Sequence, residues 1–348
     1  RSKIRDLKAF TDELQVIGDT IIVKQLTENQ QPTSYIQNLA RFFQKWWLQY
    51  QRDDVALFLT KNGSKGQSTQ LEIIAMDPRS ATVPVLKRCH ASVHLSGTLQ
   101  PIAAHIDLVG LPVDSRILCL PSPFSRSQIF PIISMGVTTS MRYRTPSMYE
   151  KIVNRITEIC KATPHNVGVF VPSYAVLQSL LIAGLETFLA GKLFIEKPGV
   201  PSSENDSLVK AFKAKADDGA VLLGVLGGRN SEGEDYPGKE METVVVVGVP
   251  YARPNQRETA RIEYFEQQFP KKGRFYGYHL PAMRSASQAA GRSIRTFEDR
   301  GAIVFLDNRY ATPYCYRLLP SWIVENLKKV DDVDGLLYTH LNAFYSCT

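Results

Sequence analysis

Seven short apolar runs in the last two thirds of the chain decide its fold class: RILCL (Arg116–Leu120), QIFPIISM, NVGVFVPS, LFIEK, AVLLGVL, TVVVVGVP and AIVFLD. Between most of them lie stretches with helical periodicity: MYEKIVNRITEICKA, AVLQSLLIAGLETFLA, SLVKAFKAKADD, the region around ETARIEYFEQQF, and MRSASQAAGRSIR. Strands that are apolar on every residue, separated by helices, predict a parallel, doubly wound α/β sheet with helices on both faces. Such sheets bind ligands at the carboxyl ends of their strands. The chemistry is therefore expected just after VFVPS, just after VLLGVLGG and near QAAGRSIR. With 44% hydrophobic and 22% charged residues, the composition supplies an ordinary core.

The 348 residues suggest two domains, or one large domain with an appendage. The first residues, RSKIRDLKAFTDELQVIGD, are charged and helix-patterned, without an initiator Met or a leader pattern, and read as a start in the middle of a longer chain. The segment QNLARFFQKWWLQYQ predicts a helix whose Phe42, Phe43, Trp46 and Trp47 form either an apolar face or a base-stacking platform. Lys61–Gln70 predicts a hairpin turn, with LEIIAMD and CHASVHLSGTLQP as extended segments returning to a sheet. A net charge of +7 and a pI of about 9.0 suit a polyanionic partner. The five cysteines include no C-x-x-C pair, so no zinc or cluster framework is visible and a reducing compartment is expected. No apolar run reaches the ~18 residues needed to span a bilayer, and no membrane partner is expected.

Ser231–Glu240, SEGEDYPGKE, imitates a phosphate-binding loop, with four residues between Gly233 and Gly238-Lys239. That motif needs a Ser or Thr after the Lys to hold Mg²⁺, and Glu240 stands there instead. Glu234 and Asp235 add negative charge where a triphosphate would sit. A second pattern is Gln288, Gly291, Arg292 and Arg295, Q-x-x-G-R-x-x-R, on a predicted helix that puts both arginines on one face. Alone it reads as a solvated or ion-paired surface with Asp299 or Glu298. Beside small residues at Ser287, Ala289 and Ala290 it also suits phosphate recognition, because a guanidinium grips two oxygens at once.

Taken in order, LSGTLQP (Leu95–Pro101), VGVFVPSY (Val167–Tyr174), GGRNSEGEDYPG (Gly227–Gly238), VVVVGVPYARP (Val244–Pro254) and SQAAGRSIRTFEDRGAIVFLDNRY (Ser287–Tyr310) resemble the C-terminal half of XPD/Rad3-type superfamily 2 DNA helicases, relatives of the DinG enzymes. The resemblance runs from about Asp77 onward. It implies a RecA-like, P-loop NTPase-like α/β sheet with a mainly helical N-terminal segment. The expected parts are residues 1–75 as the end of a helical Arch-type domain, 76–112 as a returning segment of motor domain 1 carrying motif III, and 113–348 as motor domain 2 with motifs IV, V and VI. The short tail after motif VI leans toward an archaeal XPD. No G-x-x-x-x-G-K-[ST] and no D-E-x-H box occurs in these residues. The chain is therefore expected to share ATP and Mg²⁺ with a first motor domain supplied by the N-terminal half of the same helicase, and to be inactive alone. The family's 4Fe-4S cluster is expected outside this chain.

By that resemblance Arg292, Arg295 and Gln288 are the catalytic set, two arginines and an amide directed at the γ-phosphate. Glu232, Gly233, Asp235 and Gly291 would line the nucleotide. Ser173 and Tyr174 would touch DNA, although a buried, hydrogen-bonded Tyr174 suits the pattern equally, and Ser231, Lys271, Lys272 and Arg274 would join them. Ser96, Gly97 and Thr98 would couple the nucleotide to the DNA path. His90 and His94 have a metal-like spacing, but in an extended segment they read as packed or paired, and no metal site is expected. The implied function is ATP-dependent 5′→3′ unwinding in nucleotide excision repair. Single-stranded DNA and repair or transcription-factor proteins are the implied partners. The implied location is cytoplasmic and nucleoid-associated, or nuclear in a eukaryote. Another iron–sulfur helicase of the DinG kind and a non-catalytic nucleic-acid-binding module stay open as rivals. An α/β transferase is a third, distinguishable by small-molecule affinity without the other half.

Overall fold

The computed structural model describes residues 2–62 and 68–347, which divide into two compact units. One holds the residues up to Val93 together with Ile106–Val113 and Asn255–Gln268. It begins with helices Ser2–Thr27 and Tyr35–Gln49, the second opened by Ser34, whose hydroxyl accepts from the Gln37 amide. Phe43 meets Phe10 and Phe42 edge-on, and Phe42 meets Trp46, so these aromatics join the two helices. Strands β1 (Val55–Asn62) and β2 (Ser68–Ala75) then pair antiparallel, from Val55 opposite Ala75 to Asn62 opposite Ser68. The centre of the turn expected at Lys61–Gln70 lies outside the described residues.

Helix Gln256–Gln268 belongs to this unit although it follows the sheet strands in sequence. Tyr264 Oη donates to Asp77 Oδ2 at 2.5 Å, and Arg79 donates to both Asp77 oxygens. Asp77 is 4% exposed, so this pair of donors is what makes a buried carboxylate tolerable. Arg257 pairs with Glu72 on β2.

The other unit holds a seven-stranded parallel sheet. Its strands are β3 (Ile129–Ser134), β4 (Val167–Val171), β5 (Leu193–Ile195), β6 (Val221–Val225), β7 (Thr243–Val247), β8 (Gly301–Leu306) and β9 (Lys328–Val330), in the order β5-β6-β4-β7-β8-β3-β9. The pleat explains the unbroken apolar runs. Val244 and Val246 face one layer with Ile303, Phe305, Leu222 and Phe170, while Val245 and Val247 face the other with Val304, Leu306, Leu223 and Val169. Helix Leu280–Ala290 covers the first face through Met283, Ala286 and Ala290, with Phe212 beside it. Helices Pro146–Ala162 and Leu336–Ser346 cover the second through Ile152, Ile156, Ile159, Leu337 and Leu341. The predicted doubly wound sheet with a helical N-terminal segment is the observed architecture, and the first unit adds the β1–β2 hairpin.

Several local expectations need correction. RILCL joins no ladder; Leu118 and Leu120 stand 81% and 77% exposed, because nothing among the described residues offers them a neighbouring strand. CHASVHLSGTLQP likewise runs without a ladder. The helix expected over AVLQSLLIAGLETFLA divides into Tyr174–Ile182 and Leu185–Phe188 at Gly184. The helix of QAAGRSIR stops at Ala290, and Gly291–Ser293 continues as one 3₁₀ turn. Arg292 and Arg295 therefore do not share a helical face.

Candidate nucleotide and nucleic-acid site

β4 and β6 end on the same side of the parallel sheet, and the segments that follow them carry Ser173, Tyr174 and the SEGED residues. Residues 288–295 instead lead into β8, with the Ser293 carbonyl against Gly301 at that strand's start rather than at a carboxyl end as expected. After β6 the chain turns through Gly227-Gly228 into the short helix Arg229–Glu232 and then the SEGED loop. Gly233 closes that turn with its N–H on the Arg229 carbonyl, 2.6 Å away, and a Cβ there would stand 3.0 Å from the same oxygen. Its glycine is thus explained by the turn itself. Ser231 is fully buried, and its hydroxyl is held on the Val225 and Gly228 carbonyls at 3.1 and 3.0 Å. It shapes the turn and presents no surface to DNA.

Arg292 binds this loop from the other side. Its Nε donates to the Ser231 carbonyl at 3.0 Å, and its two Nη groups donate to the carbonyls of Glu234 and Glu232. Only 8% of the residue is exposed. Burial lowers its pKa, the nearby Arg295 charge adds to that, and Asp235 opposes it. The guanidinium is committed to backbone oxygens, as a clamp on the loop. Arg295 differs: it is exposed, and its Nε contacts Asp235 Oδ1 at 3.1 Å, an oxygen that also lies 3.8 Å from Arg292 Nη1. The ion pair considered between an arginine and Asp299 does not form. Asp299 instead accepts from the backbone N–H groups of Arg295 and Thr296, at 2.6 and 2.8 Å, and from Gly238 N at 3.1 Å. One buried carboxylate thereby fixes the Arg295 turn and the end of the SEGED loop together.

Gln288 is exposed one turn before the helix end, and Gly291 caps that helix with open space where a side chain would stand. Glu232 Oε1 accepts from Ser285 at 2.8 Å. Lys239, the lysine of the false phosphate-binding loop, pairs with Asp217 at the surface and lies within a 3₁₀ turn, Gly238–Met241, where such a loop requires an α-helix.

Ser173 caps helix Tyr174–Ile182, accepting from Val176 N. Tyr174 Oη donates to Glu196 Oε1 at 2.8 Å, and burial followed by that carboxylate pushes its pKa up to about 12. Glu196 was missed by sequence reasoning. It is 8% exposed, and Asn230 donates to its other oxygen at 2.8 Å, so it joins the ends of β4, β5 and β6. The available signal was a lone carboxylate closing the apolar strand LFIEK. Asp307 closes AIVFLD in the same way: fully buried, it accepts from Thr139 N at 2.8 Å and from Arg309 Nε at 2.8 Å. Gly248 is required beside it, since its φ is +73° and a Cβ would lie 2.1 Å from Thr139 Oγ1.

Lys272 and Arg274 lie over the rings of Tyr276 and Tyr278, at 5.4 and 5.9 Å, and Lys271 adopts a left-handed φ of 68° next to them. Tyr278 stacks on Tyr251, ring centres 4.8 Å apart and planes at 5°. This patch sits apart in sequence from Ser173 and from Ser231, and its organisation comes from a π-helical turn at Phe275–His279. Ser96, Gly97 and Thr98 form a turn in which Ser96 Oγ accepts from Thr98 N at 3.1 Å. His94 pairs with His105, Nδ1 to Nε2 at 3.2 Å, as the paired reading expects. Among the described residues no group of three His, Cys, Asp or Glu could hold a metal ion, and no helix is long and apolar enough to cross a membrane.

Comparisons with known proteins agree with this geometry. Residues 156–326 match the helicase C-terminal domain family. The ATP-dependent DNA helicase chl1 of Schizosaccharomyces pombe is 29% identical over 294 residues, covering 75% of this chain and 34% of that protein. The general transcription and DNA repair factor IIH helicase subunit XPD/RAD3 of Saccharomyces cerevisiae is 27% identical over 277 residues, covering 75% of this chain and 35% of its own length. A solved XPD helicase superposes with a TM-score of 0.64 at 20% identity, over 92% of this chain and 56% of the other. The chain thus spans about a third of the length of the curated relatives it matches. Residues 156–326 thus match a helicase C-terminal domain, and the chain is similar to the part of chl1 and XPD/RAD3 helicases that the matches cover.

Proposed function

We propose that this chain is the second motor domain, with flanking segments, of an ATP-dependent 5′→3′ DNA helicase that unwinds DNA in nucleotide excision repair. The observation that carries the reading is Arg295, an exposed guanidinium paired with Asp235 of the SEGED loop, with Gln288 on the preceding helix. A planar cation so placed suits the charge that develops on a transferring phosphoryl group. Arg292 fixes the loop that Arg295 needs, and Asp235 and Glu232 line it. The residues fit one side of a nucleotide. They do not fit Mg²⁺, for which the site offers no acidic ligand set among the described residues.

Residues 1–75 act as the end of an Arch-type domain, 76–112 as the segment returning to motor domain 1, and 113–348 as motor domain 2. Exposed apolar side chains without a ladder at Val93, Leu95, Leu118 and Leu120 support this, since they suit strands that pair with a sheet supplied by the N-terminal half. Ser173, Tyr174, Lys271, Lys272 and Arg274 serve the single-stranded DNA path, and Ser96–Thr98 couples it to the nucleotide. The 4Fe-4S cluster belongs to the other half, and repair or transcription-factor proteins are the wider partners. The test is strand displacement by the complete protein on duplexes with a 5′ or a 3′ single-stranded tail. Unwinding of the 5′-tailed substrate, dependent on ATP, is expected; equal action on both tails, or none, overturns the assignment.

A further inference from the structure

Glu196 is buried without a counter-charge. It directly follows β5 at the carboxyl end of the sheet, 8% exposed, and no cation pairs with it among the described residues. Two neutral donors hold its carboxylate instead: the Tyr174 hydroxyl on Oε1 at 2.8 Å and the Asn230 side-chain amide on Oε2 at 2.8 Å. The second donor is itself fixed. Asn230 is fully buried and exchanges hydrogen bonds of 2.9 and 3.0 Å with Asn205 on helix Ser202–Lys213, while its carbonyl accepts from Tyr236 Oη at 3.3 Å. On β6 the neighbour of the carboxylate is Gly224, where a Cβ would stand 2.9 Å from Oε2. One oxygen is thus anchored in the interior, and the other is left for Tyr174.

A buried carboxylate held by neutral donors alone is costly, and glutamine in its place would face one of the two with a donor of its own. An ionised carboxylate only accepts, so the Tyr174 hydroxyl meets it as the donor. That bond uses the one proton the phenol has, and none remains for a phosphate oxygen. The ring is what is left. Tyr174 opens helix Tyr174–Ile182, is half-buried, and stacks on no other ring among the described residues. We propose that Glu196 is a positioning residue of the nucleic-acid site: by holding the Tyr174 hydroxyl it presents the face of that ring to a base of single-stranded DNA, a stacking contact indifferent to sequence. The inference rests on the helicase reading for placing Tyr174 on the path of the strand.

The test compares binding of a labelled oligothymidylate by the complete protein carrying Glu196→Gln, Tyr174→Leu or both, with melting temperatures recorded on the same preparations. Glu196→Gln is expected to weaken binding roughly fivefold when Tyr174 is intact and by less than about twofold in the Tyr174→Leu background, where no ring is left to position. A labelled abasic strand of equal length keeps the phosphates and lacks the bases. It should bind the wild type and Glu196→Gln within about twofold of each other. A loss of equal size in both backgrounds, or an equal loss on the abasic strand, is what a merely structural carboxylate gives and overturns the proposal, as does unchanged binding throughout. Each of these failures occurs with a wild type that binds DNA, and so leaves the helicase reading standing. A wild type that binds no oligothymidylate overturns both. Should a variant fail to fold, Glu196→Asp, which keeps the charge and shortens the reach, or Tyr174→Met enters the same comparison, and the same outcomes decide.

Discussion

Nε of Arg295 lies 3.1 Å from Oδ1 of Asp235, and the two side chains remain 32% and 76% exposed. Three residues earlier, Arg292 is buried on three backbone carbonyls of the same loop. One arginine stays solvent-facing in an ion pair, and the other holds the loop that carries its partner.

On the proposed reading, Arg295→Ala in the complete protein should lower kcat for ATP hydrolysis by roughly 10³ or more while ATP binding stays within about tenfold. Arg295→Lys should recover little, because the ammonium lacks the planar fork. Steady-state turnover and melting temperature on the same preparation check this. Near-normal turnover per folded molecule would show that Arg295 is not the phosphoryl-facing group.

Arg292→Ala should act first on stability. It strands the carbonyls of Ser231, Glu232 and Glu234 without their donor, a loss of about 2–4 kcal/mol. Chemical denaturation of the isolated chain reads it, with no nucleotide present. Unchanged stability would remove the clamp and restore Arg292 as a candidate for direct phosphate contact.

Asp77 gives a pH signature. Burial works against its ionised form, but hydrogen bonds from Arg79 and Tyr264 outweigh it and hold the carboxyl below the usual aspartate range. A carboxyl depressed in the folded state contributes stability that is present above its unfolded pKa, near 3.9, and that is lost as pH falls through the lower folded value. The chain should therefore lose stability below about pH 4, and Asp77→Asn should flatten that loss while destabilising at neutral pH. Denaturation midpoints across this range, for both proteins, test it; parallel curves would refute it.

Replacing Lys272 and Arg274 by Ala should weaken binding of single-stranded DNA and reduce the salt slope by about one for each phosphate that a removed cation had neutralised. Binding titrations at several ionic strengths supply the slopes. An unaltered slope would assign both cations to packing on Tyr276 and Tyr278 alone.

The sheet was legible because burial on both faces forces unbroken apolar strands, and Val244–Val247 could be read as such a strand on sight. The short polar edge strand Lys328–Val330 carries no such pattern and was not found. At the site, residue types were legible and their partners were not. Q-x-x-G-R-x-x-R pointed to both arginines, but only the helix end at Ala290 separates their roles. Glu196 and Asn230 come together from residues far apart in sequence, and no local spacing announces a contact made across strand ends. RILCL misled because composition shows that a run is fit to be a strand, not whether a neighbour exists for it.

Helix Gln256–Gln268 leaves the sheet strands and joins the unit that contains Asp77. No single cut along the chain can therefore release either unit whole. A fragment trimmed before the sheet would keep Tyr264 and discard the aspartate it grips, so recombinant boundaries drawn from linear order would amputate a partner from each side. Protease nicking should betray this: both products of one cleavage would still migrate together until denatured.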